Sequence, residues 1–400
     1  MTTPRASAWQ VFVIFLRLGL TSFGGPVAHL GYFRQEFVAR RRWLDEAAYA
    51  DLVALCQFLP GPASSQVGMA LGLRQAGMPG ALAAWMGFTL PSALAMALLG
   101  LGLVAGQALV PTGVLHGFKV AAVAVVAQAV WGMARSLCRG AARLLLMGLA
   151  CALVLRWPGV AGQLGTLLLA ALVGLALWGR GGAMPAAPAH AGPSVMRRRT
   201  GALLLALFAA LLMLLPLAAR VWPQPALALA DAFYRAGAVV FGGGHVVLPL
   251  LQAEVVAPGW VAAGDFLAGY GLAQAVPGPL FSFAAFVGAA ARNGAGGWLG
   301  ALVCLVAIFL PALLLVAGAL PFWERLGYDG RARAALSGVN AAVVGLLLAA
   351  LYHPVWSSAI HAPIDLGVAL AAFAALTWAR VPPWLVVPLC GVAGLWLLRG

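Results

Sequence analysis

"FLRLGLTSFGG" at residues 15–25 returns at residues 233–243 as "FYRAGAVVFGG". The offset is 235 − 17 = 218, and it also sets Gly19 on Gly237, Phe23 on Phe241 and Glu36 on Glu254. In both copies adjacent glycines interrupt an apolar helix, where each glycine costs about 1 kcal/mol against alanine. One such break is a packing detail; two at matching positions mark a duplicated feature.

The correspondence runs on through the chain. QFLPGP (57–62) falls on QAVPGP (274–279), Leu90-Pro91 on Leu310-Pro311, and GFKVAAV (117–123) on GVNAAVV (338–344). Between the copies lies RGGAMPAAPAHAGPSVMRRR (180–199), whose proline, glycine and alanine content reads as a flexible cytoplasmic linker. The expected organisation is a first repeat over 1–179, the linker over 180–199, an additional transmembrane span over 200–219, and a second repeat over 220–400.

Composition sets the class. Of 400 residues, 63% are hydrophobic and 8% charged, where a soluble domain carries about 25% charged residues. Runs such as 200–219 and 298–322 reach the roughly 20 residues needed to cross the hydrocarbon core. An all-α polytopic membrane protein follows, with the lipid bilayer as its solvent. The net charge of +14 sits mostly on arginines in short loops beside apolar spans. That is the positive-inside pattern of a bacterial-type inner membrane protein, and it argues against nucleic acid as a partner. Six histidines and ten acids form no catalytic constellation, and five cysteines are scattered without a CxxC. Neither an enzyme nor a cofactor, disulfide or metal site is expected. Arg17 interrupts the first apolar stretch, so a cleaved signal peptide is not expected either.

Loop charges imply that the repeats face opposite ways. Arg34, Arg40, Arg41 and Arg42 fill 34–42, whereas 254–261 has no basic residue. Residues 105–115 are uncharged, whereas 323–333 carries Arg325, Arg331 and Arg333. Arg135, Arg139 and Arg143 occupy 135–143, and the counterpart at 352–363 has none. Three reversals together mean inverted topology, and the extra span at 200–219 supplies the crossing that inversion needs. With 34–42 and the N-terminus both cytoplasmic, 9–38 and 44–76 read as re-entrant hairpins broken at FGG and PGP; kinked full crossings are the alternative.

Irregular backbone at membrane depth survives only inside protein or beside a water-filled cavity. A half-helix starting there aims free N–H groups and a positive dipole end inward, which suits an anion. Candidate ligands are the backbones of Gly24, Gly25, Gly242 and Gly243, the hydroxyls of Ser64, Ser65 and Ser282, and the amides of Gln57 and Gln274. Arg17 and Arg235, one to two turns before the glycine breaks, offer a planar fork for an oxyanion. Lys119 and its counterpart Asn340 are candidates for the cavity wall. Glu36 and Glu254, the matched acids, and His245 are candidates for proton coupling, although Val27 stands opposite His245. His29, His116 and His353 read as structural or interfacial.

FLRLGLTSFGGP, LVALCQFLPGPASSQVG, FGGGHVVLPLL and LAQAVPGP resemble the signature segments of the chromate ion transporter (CHR) family, long-chain two-domain form, from about residue 10 to the C-terminus. The resemblance implies an inner-membrane exporter of chromate, driven by the membrane potential or proton gradient and conferring chromate resistance. The second PGP is followed by Leu280-Phe281-Ser282 where the first is followed by Ala63-Ser64-Ser65-Gln66, a departure that predicts fewer polar contacts from that half. A sulfate carrier or a passive anion channel is the alternative reading, and a homodimer is compatible with any of these.

Overall fold

A computed structural model describes residues 6–23, 25–105, 111–158, 160–179, 196–240, 246–323 and 330–396. Within them are sixteen α-helices of more than three residues and no strand. Most of the linker (180–195), Gly24, Gly242, Gly243 and His245 lie outside the described residues.

The first half holds α1 (Ala8–Thr21), α2 (Gly25–Phe33), α3 (Glu46–Phe58), α4 (Ala63–Val104), α5 (Thr112–Leu137), α6 (Ala141–Arg156) and α7 (Val160–Trp178). After α8 (Arg198–Val221), the second half holds α9 (Pro225–Val239), α10 (Val247–Val255), α11 (Ala263–Ala275), α12 (Phe283–Ala290), α13 (Gly297–Ala319), α14 (Gly330–Ala350), α15 (Pro363–Thr377) and α16 (Pro383–Trp396). The second order retraces the first, with α12 and α13 standing where α4 stands.

Local sequence explains the boundaries. Ser7 caps α1 and Gln10 closes a capping box; Asp45 caps α3 by accepting from the Ala48 N–H at 2.8 Å. The helix of 42 residues from Ala63 turns back at Ala76 and at Gly77, whose φ of +64° suits glycine. Gly72 and Gly80 then meet backbone to backbone, as Gly288 and Gly300 do between α12 and α13. Among the described residues six helices are long and apolar enough to cross a membrane, α8 among them. By contrast α1, of 14 residues, is about 21 Å long, and α2 with the π-helical turns that continue it through Arg34–Arg40 is at most about 24 Å, so neither half-helix alone spans a core of roughly 30 Å. Leu145, Leu203, Leu389 and Trp378 are among many large apolar side chains left exposed, as a lipid-facing surface requires.

The halves are interlaced. Helix α1 packs on α4 and α9 on α13, but α5 packs chiefly on α15 and α16, while α14 packs on α6 and α7. Glycines allow these crossings, and they recur in both. A Cβ on Gly117 would collide with the Cys390 carbonyl, and one on Gly338 with the Ala170 carbonyl; Gly394 abuts Gly113, and Gly174 abuts Ala334. The helix that each half contributes to the centre is therefore clasped by the other half.

Candidate anion site at the helix breaks

The four breaks meet in two pairs, each formed across the halves. Gly61, inside the first PGP, donates its N–H to the Val240 carbonyl at 2.6 Å, where α9 ends. Gly278, inside the second PGP, donates to the Ser22 carbonyl at 3.0 Å, where α1 ends. These are the same contact seen twice, since 240 − 22 = 218 and 278 − 61 = 217. Gly61 and Gly278 have φ of +123° and +104°, open to glycine alone between two prolines. Gly25, with φ of +77°, starts α2 with open space where a Cβ would stand.

Polar side chains gather around one set of breaks. Ser22, His29, Ser64, Ser65, Gln66, Thr89 and Ser92 are all buried. The His29 ring stands edge-on to Phe88 at 5.1 Å, with Nδ1 3.4 Å from the Ser64 Oγ. Gln66 braces the turn, its Nε2 donating to the Pro60 carbonyl at 2.8 Å. Yet Ser22 Oγ, His29 Nε2, Ser65 Oγ, Thr89 Oγ1 and, from the other half, Gln274 Nε2 are buried with no hydrogen-bond partner among the described residues. Each such orphan costs about 1–3 kcal/mol, a cost that persists where a ligand repays it. The corresponding positions in the second half are Val240, Val247, Phe281, Ser282, Phe283, Phe309 and Ala312, all buried and all but one apolar. The backbone frame is duplicated, but its polar lining is not.

The arginines divide in the same way. Arg17 lines a cavity of about 490 Å³ with Leu18, Thr21, Tyr32, Glu36, Arg40 and Arg41. Glu36 there bridges Arg41 at 2.7 Å and Arg40 at 3.2 Å. Burial pushes its carboxyl up, but the two guanidiniums outweigh burial and hold it below the usual carboxylate range. Three guanidiniums against one carboxylate leave this cavity at +2. Arg235 lines a smaller cavity of about 210 Å³ with Ala236, Val239, Leu250 and Glu254, which are the same positions moved by 218. Arg235 is held by Asp231 at 2.8 Å and Glu254 at 2.9 Å. Two carboxylates against one guanidinium make −1.

Comparisons with known proteins bear on this frame. The chromate transporter family matches residues 9–179 and 227–395, leaving out the linker and α8. The chain belongs to that family. It is similar to a chromate transport protein of Pseudomonas aeruginosa, 31% identical over 93% of this chain and 86% of the relative. A probable chromate transport protein of Synechococcus elongatus is 29% identical over 98% and 96%. A chromate transport protein of Cupriavidus metallidurans is 27% identical over 98% and 94%. No solved structure matches the chain.

Not every residue expected at the site of this chromate transporter family member is brought to the breaks. Gln57 is exposed in the last turn of α3, while Ser282 is buried beside the second PGP. Lys119 Nζ rests on Gly264 at the start of α11, whereas the PGP turn follows the far end of that 13-residue helix, about 20 Å away. Its counterpart Asn340 is half-buried on α14. Glu36 engages Arg40 and Arg41, not Arg17. Conversely, Ser22, His29, Thr89, Ser92 and Asp231 were not singled out as ligands by the sequence. His29 carried a structural reading because a lone histidine in an apolar segment has no local pattern to mark it. Asp231 stands opposite Val13, so a search for matched residues passes over it.

Proposed function

We propose that this family member exports chromate from the cytoplasm across the bacterial inner membrane as a secondary transporter, and so confers chromate resistance. Two inverted halves would expose the crossing of the breaks alternately to either side. The observation that carries this reading is the set of buried hydroxyl, imidazole and amide groups, unpartnered among the described residues, that flank the two crossings of an FGG break with a PGP break. Hydroxyl and N–H donors with half-helix N-termini suit a tetrahedral oxyanion without a buried cation. Ser22, His29, Ser64, Ser65, Thr89 and Gln274 are the proposed ligands, with Gly24, Gly25, Gly242 and Gly243 supplying backbone.

Arg17, with Arg40 and Arg41, draws the dianion into the cavity on the cytoplasmic side. In the second half, the unbalanced carboxylate among Asp231, Arg235 and Glu254 is the proposed proton carrier, since one proton removes the net charge from a mostly apolar cavity. Outward movement of a dianion is favoured by roughly 4.6 kcal/mol at 100 mV inside-negative, twice the value for one charge.

Labelled chromate flux in everted vesicles tests the reading. Accumulation that collapses when the potential is discharged and weakens with a proton ionophore is expected. Absence of chromate flux under all conditions refutes it, and sulfate flux outcompeting chromate moves the substrate to sulfate. For the topology, single cysteines Arg41→Cys and Pro258→Cys are expected to label from opposite sides.

A further inference from the structure

A second cluster is built from residues that take no part in the breaks. His116 sits one turn into α5 of the first half; His361 and Asp365 flank the start of α15 in the second half. The His116 Nε2 lies 3.0 Å from Asp365 Oδ1, a contact between residues 249 apart in sequence. The His361 ring stacks on His116 at 5.9 Å, and one ligand atom from each of the three residues falls within 4.8 Å of the other two.

The carboxylate is set up as a ligand with its orientation fixed. Asp365 is buried, and its Oδ2 accepts from the backbone N–H groups of His361 at 2.9 Å and Ala362 at 3.0 Å. Those bonds fix the carboxylate and leave Oδ1 facing the imidazoles, the role that a second layer of contacts plays in metal sites. His361 is exposed and His116 half-buried, so the cluster is open to solvent on one side and closed by protein on the other. Two imidazoles and a carboxylate make a three-ligand set for a borderline divalent cation, with a fourth position for water. Imidazole donors select against calcium and magnesium, which take oxygen ligands. The stretches just before the two helix starts, 105–115 and 352–360, carry no Asp, Glu, Lys or Arg. By the positive-inside pattern they face away from the cytoplasm, where such cations are met from outside.

We propose that His116, His361 and Asp365 bind a zinc-class divalent cation on the extracytoplasmic face, joining α5 of one half to α15 of the other. The site is independent of the chromate reading. Coordination requires a modest closure: tetrahedral ligands at about 2.0–2.1 Å from zinc stand nearer than the present spacing, and the exposed His361 ring is the one free to move. His116 then carries its proton on Nδ1 and coordinates through Nε2 in place of its bond to Asp365.

The test uses the purified full chain in detergent, stripped with chelator and titrated with cobalt(II) and then zinc. One equivalent of cobalt is expected to give visible absorption of a four-coordinate site, lost on adding zinc, with a higher unfolding temperature in zinc. His361→Ala and His116→Ala are each expected to weaken binding at least about tenfold, in line with losses seen for even the outer contacts of metal sites. His353→Ala, whose histidine bonds Ser357 elsewhere, is expected to bind as wild type does. Because His361 is exposed, its variant keeps the fold, which its elution in size-exclusion chromatography checks. No saturable binding by the wild-type chain, or equal binding by both alanine variants, overturns the proposal.

Discussion

Replacing His29 by phenylalanine separates a ligand from a structural histidine. The ring is fully buried, its edge-on packing against Phe88 at 5.1 Å is one that phenylalanine keeps, and among the described residues its polar contacts are a long hydrogen bond of 3.4 Å to Ser64 and a weaker approach to the Ser22 backbone. Removing an unpartnered buried nitrogen returns about 1–3 kcal/mol, while losing the weak Ser64 contact costs about 1 kcal/mol or less. Stability of the His29→Phe variant is therefore expected to hold or rise. A hydrogen bond to a charged ligand is worth about 1.5–3 kcal/mol, which at 1.36 kcal/mol per decade is roughly a 10- to 150-fold loss. The expected outcome is a KM for chromate raised at least tenfold in everted vesicles, with an unfolding temperature equal to or above wild type. A KM within a factor of two of wild type would return His29 to a structural role. A large fall in unfolding temperature would refute the reasoning about its unpartnered nitrogen.

Three further outcomes follow from the charges and crossings. Glu254→Gln leaves Arg235 paired with Asp231 and brings the triad to neutrality, so it is expected to fold normally and to lose the stimulation of flux by a proton gradient; stimulation equal to wild type removes the triad from coupling. Gly117→Val and Gly338→Val each press a side chain into a carbonyl of the other half, and overpacking of about 1–3 kcal/mol is expected to lower the unfolding temperature of both by similar amounts. Glu36 has a depressed pKa in the folded protein, so its bridges contribute above its unfolded value of about 4.3 and fade as pH falls through the folded one. Glu36→Gln is accordingly expected to destabilise by under about 1 kcal/mol at pH 7 and to approach wild type as pH falls through the depressed pKa of the folded carboxyl, measured as unfolding temperature against pH.

Much of the architecture is written in local composition. In lipid each helix must satisfy its own backbone, so apolar runs identify spans, while Gly24-Gly25, Pro60-Gly61-Pro62 and their repeats identify breaks wherever they occur. Duplication, and the pairing of Arg17 with Arg235 and Glu36 with Glu254, were legible because they need only a comparison of the chain with itself. Self-comparison has a blind side: it keeps what matches. The charge difference between the two cavities rests on Arg40 and Arg41 opposite Pro258 and Gly259 and on Asp231 opposite Val13, and the polar lining rests on Ser22, His29 and Thr89 opposite Val240, Val247 and Phe309. Those differences carry the chemistry, and a search for likeness discards them.

Which break meets which was beyond any local signal. Gly61 joins Val240 and Gly278 joins Ser22 where α4 of one half packs on α12 and α13 of the other, with Gly61 against Ala312 and Gly278 against Ser92, and the small residues that permit such crossings would permit many others. His116 and Asp365 show the same limit, a hydrogen bond across 249 residues with no pattern on either side. Helix and break are encoded within a few residues, since lipid offers the backbone no other partner. A site is assembled from side chains whose neighbours are chosen by packing, and packing exists only once the chain is folded.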